Sequence, residues 1–127
     1  MGKLHALVVE DDQDLARLFA LALEDAGFST TVIFAGDAAL EKLAAAVPDL
    51  VVLDLYLPHV SGLDVLQRIR TDSRFAHTRV IVVTAGVRAA ETLQEQADLV
   101  LVKPLDFVQL RDLAMRLVPE KGDTESD

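Results

Sequence analysis

Five short apolar runs, each strand-sized and each followed by a helix-like stretch, constrain this chain more than any other feature of it. They occupy residues 4–9, 30–34, 50–53, 80–83 and 99–102. Four are nearly unbroken stretches of Val, Leu, Ile and Ala, the pattern of strands covered on both faces in a parallel sheet. The second opens on Thr30 and Thr31 and so reads as an edge strand. After the first run, Leu15, Leu18, Phe19 and Ala22 recur at helical spacing, with Gly27 as a stop signal. Leu40, Leu43, Ala44 and Val47 do the same before Pro48, and Leu63, Leu66 and Ile69 form a third stripe. Val87, Ala90, Leu93 and Ala97 mark a short helix over 87–96, and Phe107, Leu110, Ala114 and Leu117 mark the last. Strand and helix alternating five times predict an α/β domain: a doubly wound five-stranded parallel sheet, helices on both faces, right-handed crossovers.

The 127 residues make one domain, and with 51% hydrophobic and 26% charged residues its core needs no staples. The absence of cysteine excludes a disulfide scaffold, a thiolate zinc site and a cysteine nucleophile. A net charge of −9 speaks against direct nucleic-acid binding by this chain. No apolar run approaches the ~20 residues of a membrane span. The first ten residues fit neither a signal peptide nor a myristoylation site, so a soluble cytoplasmic protein is expected. Residues 119–127 carry four acids and one lysine and no large apolar residue, which predicts a folded domain over 1–118 and a disordered acidic tail.

In open α/β sheets ligands bind beyond the carboxyl ends of the strands. The first run ends in Glu10-Asp11-Asp12, the third in Asp54, the fourth in Thr84-Ala85-Gly86 and the fifth in Lys103-Pro104. The second ends in Ala35-Gly36, which carries no chemistry of its own. Each polar group has an ordinary local use, such as capping a helix, or, for Lys103, lying on the surface. Local uses do not predict convergence; a parallel sheet does. Two carboxylates about 4 Å apart repel by ~4 kcal/mol at an effective dielectric near 20. Lys103 alone does not balance Glu10, Asp11 and Asp54, which leaves room for a hard divalent cation such as magnesium. A lysine, a hydroxyl and a carboxylate-held magnesium can together stabilise a transferring phosphoryl group, and a carboxylate can itself be the nucleophile.

The set of segments resembles the receiver domain of two-component response regulators. It comprises Val8-Val9-Glu10-Asp11-Asp12, Val51-Val52-Leu53-Asp54-Leu55-Tyr56-Leu57-Pro58, Ser61-Gly62-Leu63, Val82-Val83-Thr84-Ala85 and Leu101-Val102-Lys103-Pro104. In family order and near family spacing, the resemblance covers about residues 3–118. It implies a flavodoxin-like (βα)5 fold with strand order 2-1-3-4-5. It implies that Asp54 accepts a phosphoryl group from a sensor histidine kinase or histidine phosphotransfer protein. Asp11 would ligate Mg2+ directly, Glu10 through water, and the Tyr56 carbonyl would complete the set with Asp54. Thr84 would bond a phosphoryl oxygen, Ala85 would leave it accessible, Lys103 would pair with it, and the Lys103–Pro104 bond would be cis. The domain would assist its own phosphorylation and dephosphorylation rather than act as an enzyme on others, and would signal by protein contact, with homodimerisation open.

Two positions and one segment length depart from the family pattern. Val100 stands where an aromatic residue three positions before the lysine is common, and valine has no large rotamer swing. Gln96 replaces a glycine before Ala97-Asp98, and the stretch from Thr84 to Lys103 is shorter than is common by close to one helical turn. The expectation is intact phosphorylation chemistry with a different partner surface or a weaker conformational response. Tyr56 and Gly86, two residues beyond Asp54 and Thr84, occupy positions that tune phosphate lifetime in this family. Two alternatives stay open: a pseudo-receiver that is never phosphorylated, and an aspartyl-phosphate phosphatase. The second is disfavoured because such enzymes want an acid where Tyr56 stands. A dinucleotide site is disfavoured because Glu10-Asp11-Asp12 replaces the glycine-rich turn. His5, His59 and His77 show no metal-ligand spacing.

Overall fold

A strand that must be apolar on both faces belongs in the middle of a covered sheet, and β1 (Leu4–Val9) and β3 (Leu50–Asp54) lie there. The computed structural model describes residues 3–86, 93 and 95–119. Its other strands are β2 (Phe28–Ile33), β4 (Arg79–Thr84) and β5 (Leu99–Val102), all parallel, in the order β2-β1-β3-β4-β5. Helices α1 (Gln13–Asp25), α2 (Gly36–Ala45), α3 (Gly62–Thr71) and α4 (Phe107–Leu117), with a short 3-10 turn at Ser73–Phe75, complete the described elements. The expected doubly wound architecture and strand order are those observed. Most of the helix expected over 87–96, and the tail beyond Pro119, lie outside the described residues.

The pleat divides each inner strand between two cores. Ala6 and Val8 of β1, Leu50 and Val52 of β3, and Ile81 and Val83 of β4 face Phe19 and Leu23 of α1 and Leu110 and Ala114 of α4. Leu7, Val9, Val51, Leu53, Val80 and Val82 face Ala39 and Leu43 of α2 and Val65, Leu66 and Ile69 of α3.

β3 and β4 run on to Asp54 and Thr84, with β4 starting at Arg79, and the larger differences from the sequence-based expectation fall at β2 and α2. β2 starts two residues earlier than expected and ends at Ile33, because Phe28 and Ser29 pair with Leu4 and His5. The hydroxyls of this edge strand are used: the His5 ring lies 2.9 Å from Ser29 Oγ and 3.1 Å from Thr31 Oγ1. Phe34, left beyond the ladder, is exposed. α2 ends at Ala45, so Ala44 and Val47 face solvent; its buried stripe is Ala39 and Leu43. In α3, likewise, Val65 takes the core position expected of Leu63.

Candidate functional site

Parallel strands deliver their carboxyl ends to one edge, and here that edge gathers the acids. Glu10 follows β1 directly, and its N–H donates to Ile33 O at 3.0 Å, so the chain stays pinned to the sheet one residue past the strand. Asp54 closes β3 and Thr84 closes β4; both are buried, as is Glu10. Asp11 is exposed, and Asp12 turns away to cap α1, accepting from Leu15 N at 3.1 Å. One carboxylate oxygen each from Glu10, Asp11 and Asp54 lies within 4.8 Å of the other two.

Lys103 reaches this group because β5 is registered on β4, with Lys103 N donating to Thr84 O at 2.8 Å. Its ammonium stands 3.0 Å from Glu10 Oε1 and 3.4 Å from Asp54 Oδ2. Burial and the neighbouring Asp54 charge push the Glu10 carboxyl up to about 7, against the pull of Lys103 and of the Asp12 N–H bonded to Oε2. Burial lowers the Lys103 value, but Glu10 and Asp54 outweigh it, so the ammonium is held above its ordinary range. Asp54 Oδ1 accepts from Tyr56 N at 3.2 Å, which orients the carboxylate. The Thr84 hydroxyl accepts from Gly86 N at 3.1 Å, while Ala85 is exposed and the Tyr56 side chain is 63% exposed. The Lys103–Pro104 peptide is cis.

Among the described residues, one cation therefore serves two buried carboxylates with a third beside them. Among the described residues, buried Glu10 Oε1 has no hydrogen-bond partner, only the Lys103 ammonium as an ion pair at 3.0 Å. Oxygen donors alone, drawn from three carboxylates at this spacing, fit a small hard divalent ion of the magnesium type. Glu10, Asp11, Asp54, Thr84 and Lys103 are thus brought to one edge, and Tyr56 lies on the loop leaving Asp54. The histidines stand apart: His5 is in β1 and bonded to hydroxyls, and His59 sits in the β3–α3 loop at a positive φ of 69°.

Sheet order, acidic pocket and lysine define a class, and the chain belongs to it: the response regulator receiver domain family model matches residues 6–115. Among curated proteins, the response regulator ArlR of Staphylococcus haemolyticus is 35% identical over 84% of this chain and 48% of its own length. The DNA-binding response regulator MtrA of Mycobacterium tuberculosis is 39% identical over 77% of this chain and 43% of its own. The chain thus spans about half the length of these relatives. Among solved structures, a CheY-like receiver domain from Methylobacillus flagellatus superposes with a TM-score of 0.81 at 28% identity, covering 91% of this chain and 99% of that one. The receiver domain of the Francisella response regulator 1452 gives 0.79 at 28%, covering 90% and 95%. Among the described residues, no helix is long and apolar enough to cross a membrane.

Proposed function

We propose that Asp54 is the phosphoacceptor of a two-component pathway, taking its phosphoryl group from the phosphohistidine of a sensor kinase or phosphotransfer protein. The observation that carries this is the position of Asp54, buried at the carboxyl end of the central strand with an ammonium 3.4 Å away. A carboxylate so held is oriented for in-line attack on phosphorus, and Lys103 is placed to neutralise charge on the transferring group. The Thr84 hydroxyl is the donor for a phosphoryl oxygen. Its bond to Gly86 N is one in which it accepts, so that bond does not use its own hydrogen.

Glu10, Asp11, Asp54 and the Tyr56 carbonyl are the groups that would hold magnesium. The ion, when bound, supplies positive charge for the phosphoryl oxygens and relieves carboxylate repulsion. Hydrolysis of the acyl phosphate by the domain itself ends the signal, with the exposed Tyr56 side chain covering the bond from water. Residues 1–118 form the receiver, residues 119–127 are an acidic extension, and the domain works in the cytoplasm. Output runs through contact with a protein target or with an effector segment of a longer regulator, as the length of the relatives suggests.

Incubation with acetyl phosphate and magnesium, followed by intact mass measurement, tests the reading. The expected result is one added phosphoryl group on the wild type and none on Asp54→Asn. An adduct that persists in Asp54→Asn, or no adduct on either, overturns it.

A further inference from the structure

The end of β2, Ala35-Gly36, is the one strand end that offers no functional side chain, yet it touches the loop that leaves Asp54. Ala35 occupies the N-cap of α2 and has no side-chain oxygen to satisfy the first amides of the helix. The β3–α3 loop supplies an acceptor instead, with Gly36 N donating to Pro58 O at 3.4 Å. The same carbonyl accepts from Val60 N at 2.9 Å, closing a three-residue turn whose central residue, His59, has φ 69°. Turns of this hand are rare and strained, and they persist only where the surroundings over-determine them. At the other end of the loop, Gly62 N donates to Leu55 O at 2.9 Å. What seats the turn at its middle is the missing side chain at 36. A Cβ there would fall inside the contact shell of Val60 O and 2.7 Å from the Val60 carbonyl carbon. Both are backbone atoms that no rotamer change can move aside.

We propose that Gly36 is a positioning residue for phosphoryl transfer. Its bare backbone seats the strained 58–60 turn, and so fixes the loop that carries the Tyr56 backbone groups around Asp54. The inference rests on Asp54 being the phosphoacceptor. Any side chain at 36 must lift the loop or displace α2, and small misplacements of positioning groups carry large rate penalties.

The test compares Gly36→Ala with Gly27→Ala. Gly27 ends α1 at φ 102° and a Cβ there would meet nothing within 4 Å, so alanine strains the fold far from the loop. At a temperature where both variants are folded by circular dichroism, phosphorylation by acetyl phosphate is followed at saturating donor. Magnesium affinity is read from the fluorescence of Tyr56, the sole tyrosine in a chain without tryptophan. Gly36→Ala is expected to lose about tenfold or more in maximal rate and to bind magnesium more weakly, while Gly27→Ala stays near wild type. Equal behaviour of the two variants overturns the proposal.

Amide exchange in the wild type gives an answer that does not need Gly36→Ala to fold. By linkage, loading the pocket with magnesium and beryllofluoride must slow exchange at the Gly36 and Val60 amides together. Unchanged exchange at Gly36 also overturns the proposal. A wild type that takes no phosphate and no magnesium instead refutes the reading of Asp54, and is distinguishable from both outcomes.

Discussion

At the scale of single residues, the site is a shortage of positive charge. Lys103 lies against Glu10 and Asp54, and Glu10 is 1% exposed with its pKa pushed up to about 7. A carboxyl with a raised folded-state value favours folding at low pH and loses that contribution as pH climbs from its ordinary value toward the raised one. Lys103→Ala removes the counter-charge, so Glu10 must hold its proton to still higher pH. In chelator, the variant is expected to lose about 3 kcal/mol near pH 8 and distinctly less near pH 6. Urea unfolding at the two values measures this. A loss equal at both would mean that Glu10 does not depend on Lys103.

At the scale of elements, the amino edge of the sheet is tied as tightly as the carboxyl edge, by Asp98. Its Oδ2 accepts from Val80 N at 2.7 Å and from Arg70 at 2.8 Å, and its Oδ1 from Arg79 at 3.1 Å. Arg70 also donates to Gln96 O and Thr78 O, so the end of α3 clamps the entries to β4 and β5. Burial raises the Asp98 carboxyl, but the Val80 amide and both arginines outweigh it and hold the value below the ordinary 3.8. The clamp therefore contributes fully above that value and is lost as pH falls through the lowered one. Asp98→Ala is expected to cost about 2 kcal/mol near neutral pH. It should also flatten the acid limb of the stability curve, which thermal melts across the acid range would show. A variant that melts as the wild type does at every pH would contradict this role.

None of that clamp was legible in the sequence, because Arg70 and Arg79 meet Asp98 only across distant segments and Gln96 reads there as a substituted glycine. The inner strands were legible because a strand covered on both faces must be apolar throughout. The start of β2 was not, because Phe28 and Ser29 directly follow the Gly27 stop signal and only their pairing with Leu4 and His5 makes them strand. The convergence of Glu10, Asp11, Asp54 and Lys103 could be read because the fold sends every strand end to one edge. The part assigned to Gly36 could not, because a missing side chain acquires meaning only when another segment lies against it.

At the scale of the whole molecule, convergence is what turns ordinary residues into a site. An acidic turn, a strand-ending aspartate, a buried threonine and a lysine before proline would each pass as structural if found alone. With 21 acidic side chains against 12 basic, the chain as a whole offers little to offset the local repulsion. Val100 is half-buried beside the α2–α3 core. The central claim is that three carboxylates from two strand ends share a pocket that accepts a divalent cation. Titration calorimetry with magnesium chloride tests it most directly. The account predicts saturable uptake at a single site per chain, weakened more than about tenfold in Asp11→Ala with the fold unchanged. Absence of uptake, or uptake indifferent to Asp11, would contradict it.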